Sequence, residues 1–93
     1  MVRRNRVSIR VEGAQLILQP VLINKHDQKV YVAKHPKSWK TKYSVWVDAG
    51  GGWGYMLASH HRAKHTAIAG ARRLQNKDVL RVLRIGNLIS HRR

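Results

Sequence analysis

Six histidines and a glycine cluster are the residues of this 93-residue chain whose types and spacing could do chemistry. His61 and His65 stand four apart, the spacing that puts two imidazoles on one face of a helix as in zinc-binding helices. No glutamate lies between them and the chain has no cysteine, so a tetrahedral ligand set needs His26, His35 or His60 to approach in three dimensions. The bland alternative treats these histidines as partial cations and donors on a basic surface, and the reading adopted is that no metal or other cofactor is held. A metal-assisted nuclease built on these histidines has no positive support.

The glycines sit in VDAGGGWGYM, Val47 to Met56. A Walker-type phosphate loop needs Lys and Ser or Thr directly after its glycines, and here Trp53-Gly54-Tyr55 follows instead. The cluster therefore reads as a hairpin turn, or else as a loop that lets a nucleic-acid backbone come close because glycine has no Cβ. Paired-carboxylate chemistry fares no better. The acids are Glu12, Asp27, Asp48 and Asp78, most of them at turn or cap positions. No catalytic residue is assigned, and the chain is expected not to be an enzyme.

Charge is the dominant feature. Nineteen Lys and Arg against four Asp and Glu give a formal +15, an imbalance that a polyanion would relieve. The basic residues come in groups: Arg3, Arg4 and Arg6 at the start, Lys34, Lys37, Lys40 and Lys42 mid-chain, then Arg62 and Lys64, then Arg72 and Arg73. Trp39 lies within KHPKSWKTK, which leads into the strand carrying Ser44 and Trp46. Lysines would neutralise phosphates while indoles stack on bases. Each Trp can equally be core bulk in a chain that has no Phe.

The elements that must position these residues are legible in the periodicities. Val7, Ile9 and Val11 alternate with polar neighbours, as in a half-buried strand that ends at a Glu12-Gly13 turn. Ala14 to Ile23 is a second strand in which Pro20 demands an edge, a bulge or a break. NKHDQK is a turn before Val30-Tyr31-Val32, and Tyr43 to Asp48 and Trp53 to Ala58 form a hairpin across the glycines. Tyr43, Val45, Val47, Tyr55 and Leu57 are assigned to the face under a helix, leaving Ser44, Trp46 and Met56 outward as the reading surface.

A helix starts at Ser59 or Thr66, with Ala63, Ala67, Gly70, Ala71 and Leu74 on its buried stripe and Asn76 as its stop. Residues 78–89 are helix or strand, with Gly86-Asn87 a turn. The whole is a single α+β domain, 1–93: a small, mostly antiparallel sheet of three or more strands on one principal helix in the C-terminal half. The basic ends, 1–6 and 90–93, are expected to be mobile arms. No apolar run reaches the roughly 20 residues of a membrane-spanning helix, no secretory signal is read in MVRRNR, and the absence of cysteine favours an intracellular setting, cytoplasmic or nucleoid-associated.

Lys29 to Leu74, three strands and then a helix containing TAIAGARRL, resembles the DNA-binding domains of the AP2 and phage-integrase N-terminal kind. That resemblance covers about half the chain. It implies a sheet laid in the major groove, with Lys40, Lys42, Ser44 and Trp46 toward DNA. The chain departs from the pattern at Met56-Leu57-Ala58 and the following HHRAKH, where such domains carry a Leu-Gly pair. The same segment is also similar to the C-terminal half of a double-stranded-RNA-binding domain, without its first helix.

The function expected is a small, non-enzymatic nucleic-acid-binding protein, DNA slightly preferred over RNA, of a viral, plasmid or nucleoid accessory kind. The alternatives are an inhibitor or adaptor docking on an acidic protein surface, and a ribosome-associated RNA-binding protein.

Overall fold

The computed structural model of the chain describes residues 6–48, 50, 54–79 and 88–89. Its strands are β1 (Val7–Val11), β2 (Ala14–Ile23), β3 (Lys29–Lys34), β4 (Tyr43–Asp48), β5 (Tyr55–His61) and β6 (Leu88–Ile89), with helix α1 (Lys64–Arg72) between the last two. Every strand pairs antiparallel with its sequence neighbour, in the order β1-β2-β3-β4-β5-β6. The fold is α+β, and its sheet is larger than three strands. Arg3, Arg4, Trp53, Gly86-Asn87 and the segment 90–93 lie outside the described residues, as does most of the stretch left open between helix and strand.

Local chemistry explains the connections. Glu12 and Gly13 both have positive φ, 48° and 82°, and link Val11 directly to its partner Ala14. This is the two-residue primed turn whose twist matches that of the strands. Pro20 produces a bulge: the pairing of β2 with β3 shifts between Pro20 and Leu22, which absorbs the missing ladder donor. The glycine cluster joins paired strands, with Gly50 at φ 80° donating its amide to Asp48 Oδ1 at 2.7 Å. The antiparallel pairing of β4 and β5 on either side is that of a hairpin, while residues 49 and 51–53 between them lie outside the described residues.

Two apolar clusters lie on opposite faces of the sheet. On the outer face Val30, Val32, Val45 and Val47 meet Ala67 and Ala71 of α1 and Val79. The small stripe works as its spacing predicts, because alanine lets the helix lie close on the pleat. On the inner face Ile9, Leu16, Leu18, Tyr31, Ala33 and Trp46 pack together, edged by Val7 and Val11 from β1 and by Tyr55 and Leu57 from β5. The first and fifth strands share one cluster, so the sheet is curled around it.

That curl overturns the expected outward face. Ser44 and Trp46 are buried on the inner side of the curl, at 0% and 2% exposure, and Met56, opposite Val47 on the helix side, is buried at 3%. β3 and β4 bury both sides, which adds the apolar burial of a second core to that under the helix. The assignment of Tyr55 and Leu57 to the helix side is corrected too. The β4–β5 loop sets Asp48 opposite Tyr55 and Val47 opposite Met56, so odd-numbered residues of β5 begin on the inner face. A shift between Val45 and Trp46 then leaves Ala58 unpaired and returns Ser59 and His61 to the helix side. The helix begins at Lys64, after β5 has run on to His61, and ends at Arg72 rather than at Asn76.

Candidate nucleic-acid interface

Helix α1 contacts β3, β4 and β5 more extensively than β2, so the outer face of the sheet is covered on one half and open on the other. The open half is built by alternation. Leu16 and Leu18 point into the inner core, so Gln15, Ile17 and Gln19 point outward, and all three are exposed. In β1 the same reasoning turns Ser8 and Arg10 outward, and register places Ser8 opposite Ile17 and Arg10 opposite Gln15. The Gln15 amide donates to Ser8 Oγ, tying the two strands on this face.

Between this open half and α1 runs a groove of about 740 Å³. Lys34, at the end of β3, lines it from the sheet, while Lys64, Ile68 and Arg72 line it from the helix as one i, i+4, i+8 row. Val21, Val32 and Ile17 supply apolar floor, and Tyr43, opposite Lys34 in the ladder, also reaches it. No Asp or Glu is among its lining residues. The first turn of α1 contains no acid, and Arg62 and Lys64 stand at its N-terminal end, so cations add to the positive pole of the helix dipole where acids would ordinarily offset it.

The sequence-predicted residues divide accordingly. Lys34, Lys64 and Arg72 converge on the groove, and Arg6 is exposed just before β1. Lys37, Lys40 and Lys42 are exposed in the β3–β4 loop. Lys42 Nζ is tied to that loop, donating to the carbonyls of Lys37 and Trp39 at 2.9 and 3.2 Å. Lys40 borders a separate depression shared with Glu12, Trp39 and His60. Arg62 and Arg73 are exposed at either end of α1, away from the lining of the groove. Trp39 is half-buried, its ring 5.0 Å from that of His35, and packs on the inner core. Ser44 and Trp46 are sealed within it, so the role implied for them by the resemblance to sheet-in-groove domains has no surface to act from.

Arg10, Gln15, Ile17 and Gln19 escaped the sequence reading. Their signal was the period-two pattern of β1 and β2 itself: once one face is assigned to the core, the other carries Arg10 beside Gln15 and Gln19.

His35 and His61 are held by packing and hydrogen bonds. His61 closes β5 and His65 is on α1, so they do not share a helix face. His61 Nε2 is 2.7 Å from Ser59 Oγ, and the ring packs under Gly70, where an added Cβ would lie 2.8 Å from Nε2. Burial, with His60 and Arg73 nearby, pushes the His61 pKa below its usual value. His35 is buried, with Nδ1 2.8 Å from the Thr41 carbonyl and Nε2 2.7 Å from Ser44 Oγ. A carbonyl only accepts, so Nδ1 carries the proton and Ser44 donates to Nε2. Burial holds the His35 pKa down, opposed by the bond to Thr41 and aided by His60. The Ser44–His35 pair has hydrogen-bond geometry suited to a nucleophile, but Ser44 is 0% exposed and no substrate reaches it in this conformation. Among the described residues no group of three or more potential metal ligands comes together, and no helix is long and apolar enough to cross a membrane.

No protein-family model, curated protein or solved structure matches the chain.

Proposed function

We propose that this protein binds nucleic acid, DNA in preference to RNA, through the groove between α1 and the open half of the sheet, without catalysing a reaction on it. The observation that carries the reading is the convergence of Lys34, Lys64 and Arg72, from two elements far apart in sequence, on a concave surface that no acid lines. Isolated surface cations are ordinary. Three that meet over an apolar floor, flanked by Arg10 and by the positive end of a helix, concentrate a potential that a phosphate polymer neutralises. The remaining positive charge supports steering rather than contact, and a cytoplasmic or nucleoid setting follows from such a partner.

The test is a salt-titrated binding series with charge reversals on both sides of the molecule. Log affinity should fall linearly with log salt, with a slope of about −0.9 per phosphate contacted on duplex DNA. Arg72→Glu and Lys34→Glu should weaken binding and flatten that slope by roughly one contact each, while Lys40→Glu, beside the other depression, should act less. Equal loss from all three would mean diffuse attraction and no groove site. A flat salt dependence would remove the reading in favour of an acidic protein surface as partner.

A further inference from the structure

The two walls and the floor of the groove specify what form of nucleic acid fits it. This step rests on the nucleic-acid reading above. We infer that the groove grips the sugar–phosphate ridge of duplex DNA from outside and leaves the bases stacked within the duplex. Lys34 stands on the sheet wall and Lys64 and Arg72 on the helix wall, with Ile17, Val21 and Ile68 contributing apolar surface. Eight residues separate Lys64 from Arg72, so their row is about 12 Å long at 1.5 Å per residue. Cations on both walls reach the phosphate oxygens that stand outermost along such a ridge, while the apolar groups between them pack on the deoxyribose carbons that link one phosphate to the next.

A single strand asks for something that the described residues of this surface lack. Its unpaired bases need aromatic platforms to replace the stacking they lose. Among the described residues Tyr31 and Trp46 are buried, and Trp39, Tyr43 and Tyr55 are only partly accessible. Of these only Tyr43 lines the groove, and it also packs against the helix-side core. A lone ring cannot seat successive bases. A duplex stacks its own bases and presents twice the charge per unit length of one strand, which the cationic walls meet directly. Duplex RNA displays its 2′-hydroxyls on the minor-groove side of the same ridge, where the Ile and Val side chains of this groove offer no hydrogen-bond partner.

The test compares fluorescence anisotropy at one salt concentration for a 20-base-pair DNA duplex, each of its single strands, and the RNA duplex of the same sequence. Duplex DNA should bind about ten-fold or more tighter than either strand, given the missing stacking platform, and tighter than the RNA duplex. A scrambled duplex should bind equally. Equal or tighter binding of a single strand overturns the inference while leaving nucleic-acid binding intact, and tighter binding of duplex RNA overturns the choice of DNA. Failure to bind any of the probes overturns both.

Discussion

Trp46 Nε1 lies 2.7 Å from Ser44 Oγ, and both residues are shut inside the curl of the sheet. The indole can only donate, so Ser44 accepts from Trp46 and donates its own O–H to His35 Nε2, while His35 Nδ1–H ends the chain on the Thr41 carbonyl. Three side chains drawn from β4 and the loop before it thereby satisfy one another where no water need enter. The arrangement ties the KHPKSWKTK loop to the inner core and draws Trp39 onto His35.

Ser44→Ala should therefore strand two buried polar groups, the indole N–H and His35 Nε2. The expected loss is about 1–3 kcal/mol or more of unfolding free energy, read as a lowered urea midpoint with an unchanged m-value. A change below about 0.5 kcal/mol, the range of ordinary surface substitutions, would mean the chain of bonds is not formed in solution.

Acid should weaken the fold. His35 and His61 both have pKa values held below the ordinary 6.5 by burial, so as pH falls the unfolded chain takes up protons first. Stability from these groups is present above about pH 6.5 and is lost progressively as pH drops toward their folded values. Urea midpoints at pH 7.5 and pH 5 should differ in that direction, and His61→Gln should shrink the difference. Identical midpoints would contradict both burials.

Gly70 and His61 should be energetically coupled. Alanine is favoured over glycine by about 1 kcal/mol inside a helix, but its Cβ at position 70 would meet His61 Nε2 at 2.8 Å and Cε1 at 2.9 Å. The ring cannot swing away without giving up its bond to Ser59. Gly70→Ala should destabilise the natural chain and stabilise the His61→Ala variant, a sign change that a double-mutant cycle measures directly. Additive effects would show that the helix does not approach β5 so closely.

Asn24 should prove the main lock between the β2–β3 turn and the segment after α1. It is 5% exposed; its Nδ2 faces Gln28 Oε1 and the carbonyls of Leu74 and Lys77, while Oδ1 accepts from the amides of His26 and Gln28. Asn24→Ala should cost at least about 2 kcal/mol, since several buried partners lose their bonds together. Hydrogen exchange should quicken at the amides of His26 and Gln28 before it does elsewhere.

Periodicity and composition determined much of this protein without help. The alternation through β1 and β4, the turn chemistry of Glu12-Gly13, the edge, bulge or break demanded by Pro20 and the alanine stripe of α1 are local properties, set by backbone sterics and by the spacing of apolar residues along one element. The surplus of fifteen positive charges is likewise a property of composition, whatever the fold. Strand faces were another matter. Whether Tyr55 looks inward or outward turns on the parity of the β4–β5 register, and Ala58 reverses that parity a few residues on.

Only the curled sheet decided that Trp46 and Ser44 would be interior and that Lys34 would stand across a groove from Lys64 and Arg72. Each strand has two faces that a sequence pattern can distinguish but not name. Closing β1 and β5 around a shared core names them, because burying a second apolar surface outweighs leaving it wet, and Lys34, Lys64 and Arg72, left on the other side, meet where the helix covers β2 only in part.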